Sequence, residues 1–147
     1  MPRPTYRQYE RKKLGYRDGT LSGLLYMCRQ AFTSPTFAGF WRNWNPLFSY
    51  YLLYFCYLPL RKRLPRFIAL TVTFALSGAV HDMAATLARA EAYLVFTGTF
   101  TLFGLWVVVE ERLRLRLDGL PVIVKFLYHL GLIVSGFCLS WWVLKSS

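Results

Sequence analysis

Three apolar runs separated by short basic or polar segments fill the second half of the chain. Residues 67–87 hold no Lys or Arg and only one His and one Asp, residues 92–109 are uncharged, and residues 121–144 carry only Lys125 and His129. A helix needs about 20 residues to cross a hydrocarbon core roughly 30 Å thick, so the pattern predicts about three transmembrane helices. An earlier run, 47–60, is apolar and aromatic but spans only 14 residues, which predicts a short re-entrant or interfacial helix instead. After the second long run, the stretch 110–118 alternates charge with Leu. Taken alone it resembles a strand, but a lone strand has no partner beside a membrane, so the expectation is an amphipathic helical extension at the surface. The fold class expected is therefore all-α integral membrane. Thr20 is a candidate N-cap for a short helix running toward Phe32, and Ser34-Pro35 would end it.

Composition narrows this further. The chain has 147 residues, 55% hydrophobic and 18% aromatic, with a formal net charge of +11. Disordered chains are far less hydrophobic, and a soluble domain of this size has too little interior for so many aromatic rings. The 18 Lys+Arg could in principle meet nucleic acid, but their positions argue against it. Eight fall before Asn43, four lie in Arg61-Lys62-Arg63-Leu64-Pro65-Arg66, and three alternate with Leu at Arg112, Arg114 and Arg116. Each group flanks an apolar run, as cytoplasmic positive charge does. The expected topology has the N-terminal region, the 61–66 turn and the 112–118 loop on the cytoplasmic side, in a multi-pass protein that in a bacterium would occupy the inner membrane. Residues 1–33 read as a basic cytoplasmic arm and short helix against anionic head groups, and 34–147 as the membrane domain. Residues 1–29 contain no apolar stretch of the kind a signal peptide needs. Cys28, Cys56 and Cys138 lie far apart, with neither a disulfide framework nor metal-ligand spacing, so no metal is expected.

Ionisable groups inside apolar runs are costly, and each needs a reason. His81 lies about 21 Å along the first long run, counting about 1.5 Å per helical residue from Phe67. A neutral imidazole there can take a proton from a hydroxyl, and Ser77 stands one helical turn away on the same face. A second cluster is Phe40-Trp41-Arg42-Asn43-Trp44-Asn45-Pro46. Two Trp and an Arg suit the head-group region, and Asn45 before Pro46 also has the form of a helix N-cap.

Together these clusters resemble the membrane-bound O-acyltransferase (MBOAT) family. In that family an F-W-x-x-W-[H/N/D] element precedes a short tyrosine-rich helix ending in a Y-x-P-like motif and a basic turn, and the next span carries a histidine. The corresponding stretches are Ser34 to Pro46, then Tyr51-Leu52-Leu53-Tyr54, then Tyr57-Leu58-Pro59-Leu60. Asn45 closes the first motif and His81 follows 36 positions later. The resemblance implies transfer of an acyl group from acyl-CoA or a similar thioester to a hydroxyl, with His81 as general base. It implies that Asn45 orients the donor or hydrogen-bonds the developing oxyanion, and that Trp41, Arg42, Trp44 and Ser77 contact substrate. Acyl-CoA would be a substrate rather than a cofactor. Arg42, Arg61, Lys62 and Arg63 are candidates for donor phosphates, although a basic turn beside a membrane needs no ligand.

Members of the family are usually several hundred residues long and form a tunnel, and the present chain resembles the C-terminal catalytic half. That implies membrane lipids as partners, and either a homo-oligomer or an additional membrane subunit to complete the tunnel. The alternative is a catalytically inactive relative serving as a structural subunit of a larger complex. A small channel is a weaker third reading, because no inverted repeat is visible. Of the remaining polar groups, His129 is expected to make a polar or packing contact between helices. Gly98, Gly104, Gly131 and Gly136 are expected to permit close helix approach.

Overall fold

A computed structural model describes residues 4–14, 21–89 and 94–146, and among these every regular element is helical. The N-terminal part is a series of short helices: α1 (Tyr6–Leu14), α2 (Leu21–Phe32), α3 (Phe37–Asn43) and α4 (Pro46–Tyr51). A π-helical turn (Leu52–Tyr57) and α5 (Leu58–Arg61) follow. Three long helices complete the chain: α6 (Arg66–Arg89), α7 (Val95–Leu113) and α8 (Val122–Ser146). Thr20 and the turn around Glu91 lie outside the described residues.

Local chemistry explains most boundaries. The Thr33 and Ser34 hydroxyls donate to the carbonyls of Arg29 and Gln30, closing α2 before Pro35. Thr36 caps α3, its Oγ1 accepting from Gly39 N at 3.0 Å. Pro65 and Pro121 stand immediately before α6 and α8, where a missing N–H costs nothing. Pro59 has no N–H to offer the carbonyl of Phe55, and its ring crowds that carbonyl. The chain accommodates it with the wider π turn just upstream.

Helices α6 and α7 form the closest pair. A Cβ on Gly78 would lie 2.5 Å from the Phe96 carbonyl oxygen, and one on Gly104 would lie 3.0 Å from Thr71 Cα, so bare Cα atoms are required at both crossings. Gly136 of α8 meets the ring of Phe103 in the same way, its Cβ position 2.5 Å from Cε1, and Gly98 faces the Ser140 hydroxyl. Gly131, by contrast, opens onto empty space, so helix contact does not explain it. The core lies where α3 is inserted among α2, α7 and α8. Phe37 and Phe40 are fully buried there with Ala31, Phe100, Phe103 and Val107.

Helices α6, over 66–88, and α8, over 122–146, are long and apolar enough to cross a membrane. Much of the surface of α8 is apolar and exposed, including Ile123, Leu127, Val134, Trp141 and Trp142. Helix α7 packs between them and is uncharged until its last turn, which carries Glu110, Glu111 and Arg112.

The expected helical extension over 110–118 is corrected. Helix α7 stops at Leu113, because Arg114 adopts the left-handed conformation (φ 54°) and turns the chain out of the helix. Residues 115–118 form a loop pinned by Leu117 N donating to Pro35 O at 2.8 Å and by an Arg116–Asp118 ion pair. Leu at every second position matches no single helix face, so nothing favours continuing the helix. Glu110 is not at the surface either: it is 2% exposed.

Candidate functional site

A cavity of about 510 Å³ opens between α3, α4, the π turn and α6. Trp41, Arg42, Trp44, Asn45, Ser77 and His81, singled out from the sequence, all line it. Its remaining walls are mostly apolar, with Phe48, Leu52, Leu53, Phe74 and Phe100, and charged groups are contributed by Lys13, Arg66 and Glu111.

His81 is half-buried among the rings of Phe48, Phe96 and Phe100, with centroids at 5.3, 5.6 and 5.1 Å. Its Nδ1 lies 2.7 Å from the Ser77 carbonyl oxygen. A carbonyl only accepts, so Nδ1 carries the hydrogen, and in the neutral ring Nε2 is left with a free lone pair. Ser77 thus acts on His81 through its backbone, one turn earlier on α6. Asp82, beside it, is 3% exposed and turns away, accepting from Phe96 N at 2.9 Å and Thr97 N at 2.6 Å. It supplies the N-terminal cap that Leu94, the residue before α7, cannot give.

Asn45 lines the same cavity at a sharp turn between α3 and α4. Its backbone is left-handed (φ 44°), a conformation Asn tolerates better than most residues. Its Oδ1 accepts from Phe48 N at 3.3 Å, capping α4 ahead of Pro46. With the oxygen engaged in this way, what Asn45 can offer the cavity is its amide N–H₂, a donor. Ser49 tightens the turn, its hydroxyl donating to the carbonyls of Trp41 and Trp44. The Trp41 Nε1 is buried without a hydrogen-bond partner.

What holds α3 in place is a residue with no role expected from the sequence. Glu110, at the far end of α7, accepts from Phe37 N at 2.8 Å, Ala38 N at 3.2 Å and the Tyr128 hydroxyl at 2.9 Å. The Tyr128 oxygen in turn accepts from Trp106 Nε1. Nearby, fully buried His129 donates from Nε2 to the Ser34 carbonyl at 2.9 Å, the interhelical polar contact the sequence suggested. One signal for Glu110 was available: it is the first charge after an uncharged run of 18 residues, 92–109, and a carboxylate at the edge of an apolar run needs a partner. The three basic regions also meet at one end of the molecule, through Lys13–Asn43, Arg66–Glu111 and Leu117–Pro35 contacts.

A histidine with a free Nε2 lone pair and an asparagine with an amide N–H₂ donor thus line one mostly apolar cavity, on the elements whose motifs resemble the acyltransferases. The MBOAT family model, membrane-bound O-acyltransferase, matches residues 18–141. The chain belongs to this family. Neither a curated protein nor a solved structure matches it. Family membership and the two long apolar helices mark the MBOAT chain as a membrane protein, and helix α1 lies outside the matched residues.

Proposed function

We propose that the chain transfers an acyl group from a thioester, acyl-CoA or a close analogue, to a hydroxyl acceptor in the cavity between α3 and α6. The observation that carries this reading is that Asn45 and His81, separated by 36 residues, line one cavity. His81 Nε2 accepts the acceptor's proton while the hydroxyl oxygen attacks the thioester carbonyl. Asn45 Nδ2 donates to the carbonyl oxygen as it gains negative charge, and collapse expels the thiolate, which takes up a proton. Trp41 and Trp44 supply apolar wall for the acyl chain, and Arg42 stands at the cavity's polar side. In the same reading α6, α7 and α8 all span the bilayer, the α4–α5 segment is re-entrant, and the basic end is cytoplasmic, where a soluble donor arrives. A second copy or another membrane subunit completes the enclosure.

The test is release of free thiol from an acyl-CoA by the full chain in lipid nanodiscs. His81→Ala is expected to lose about 10²- to 10⁴-fold in rate, the usual worth of a general base. A parent protein that binds no acyl-CoA, or a His81→Ala variant that turns over at the parental rate, overturns the proposal. What favours a second reading, an inactive subunit of a larger membrane complex, is the exposure of α8, of whose most apolar window only 11% is buried. A parent lacking turnover yet retaining a stoichiometric membrane partner would support that reading.

A further inference from the structure

Beside the main cavity lies a smaller, polar hollow of about 280 Å³, walled by Lys13, Arg42 and Arg116 with Ser34, Thr36 and Asn43. Its three cations come from α1, from α3 and from the loop after α7, segments remote in sequence that tertiary contacts bring together. Rings of Tyr6 and Tyr9 pack against Tyr50 at 5.8 and 5.5 Å, and the Tyr50 hydroxyl donates to Pro4 O at 2.9 Å, docking α1 on α4. Docking delivers Lys13, whose Nζ donates to Asn43 Oδ1 at 3.4 Å. The loop carrying Arg116 is held by Leu117 N on Pro35 O.

Among the described residues no carboxylate lines this hollow. Arg116 pairs with Asp118, but Arg42 and Lys13 share no such counter-ion within it. Burial, then the charges of Arg42 and Lys12, hold the Lys13 ammonium below its ordinary pKa. Arg42 donates through Nε to Ala38 O and Arg116 through Nε and Nη2 to Asp118, so their other guanidinium N–H groups, together with the Lys13 ammonium, are the donors that suit a tetrahedral multi-oxygen anion. Lys13 and Arg42 also line the main cavity, so the two spaces share a wall. Lys13 precedes residue 18, where the family match begins, so part of this site is built by sequence the family pattern does not describe.

We propose that the hollow is a phosphate site for the acyl donor. Lys13, Arg42 and Arg116 hold a phosphate of the donor's carrier while the thioester reaches past Trp41 to Asn45 and His81. This rests on the reading of the cavity as the acyl-transfer site.

The experiment measures binding without turnover, titrating coenzyme A and pantetheine, which lacks its phosphates, into the full chain in phosphatidylcholine nanodiscs. Lys13→Gln and Arg116→Gln are each expected to weaken coenzyme A about tenfold or more, the worth of one charge-assisted hydrogen bond, and to leave pantetheine unchanged. Arg11→Gln, an exposed cation of the same helix, is expected to change coenzyme A binding less than twofold. Unaltered coenzyme A binding in both glutamine variants overturns the site, as does an equal loss in Arg11→Gln, which would mean diffuse charge only. If the variants instead lose a preference for phosphatidylglycerol nanodiscs while binding coenzyme A normally, the phosphate belongs to a lipid head group and the donor assignment fails. The two readings fail separately. Variant-sensitive coenzyme A binding with parental turnover in His81→Ala removes the acyl-transfer role and keeps the site, and the converse removes only the site.

Discussion

His81 and Asn45 face one cavity but are held there by different means. His81 belongs to α6, whose pairing with α7 is local: Asp82 reaches across to cap a helix beginning 13 residues later, at Val95. Asn45 follows α3, and α3 is anchored by Glu110, a residue 73 positions from Phe37. In both cases a buried carboxylate satisfies two free N–H groups at a helix start, where the helix dipole also favours negative charge. The difference lies in connectivity. The Asp82 cap can form as soon as α6 and α7 pair, whereas the Glu110 cap requires the whole fold and also recruits Tyr128 from α8. One wall of the site is thus set by neighbours in sequence, the other by long-range assembly.

The largest effect is expected at the long-range anchor. Glu110→Ala strands the buried Phe37 N–H, the half-buried Ala38 N–H and the Tyr128 hydroxyl, and should cost about 3–5 kcal/mol, read as thermal unfolding in detergent. Glu110→Gln keeps one carbonyl acceptor and should recover roughly half of this. If α3 depends on Glu110 for position, the Gln variant should also lose turnover out of proportion to its stability, because Trp41, Arg42 and Asn45 all follow α3. Asp82→Ala should cost about 2–3 kcal/mol, less than Glu110→Ala because it frees two donors rather than three. Equal losses for the two alanine variants would erase the comparison. Gly78→Ala should cost about 1–3 kcal/mol, since its Cβ would overlap the Phe96 carbonyl and α6 and α7 must move apart. The smallest effect belongs to Glu111→Gln. Its pair with Arg66 is exposed, with side chains 37% and 61% accessible, so no more than about 0.5 kcal/mol should be lost.

Much of this was legible in the chain because apolar runs and motif order are local properties. The three long helices, the end of α2 at Ser34-Pro35 and Asn45 as a cap before Pro46 all follow from neighbouring residues. So did the selection of Trp41, Arg42, Trp44, Asn45, Ser77 and His81, which the fold gathers around one cavity. What could not be read is where a side chain reaches across the fold. Asp82 beside a candidate base reads equally as its electrostatic partner or as a contact to a neighbouring helix, and only the fold shows that it faces the start of α7. Glu110 sat in an alternating charged stretch that suggested a surface helix, and only tertiary structure places α3 against it. The alternation itself misled because one residue, Arg114, takes the left-handed turn that ends α7.

In the proposed reaction Asn45 and His81, which line one cavity, act on the same reacting group. A double-mutant cycle on acyl-CoA turnover tests it most directly, comparing the parent with Asn45→Ala, His81→Ala and the double variant in nanodiscs. Groups that work as a unit are strongly non-additive. Joint action requires a large loss in each single variant and a double variant no slower than His81→Ala alone. Losses that multiply, or a single variant as active as the parent, would contradict it.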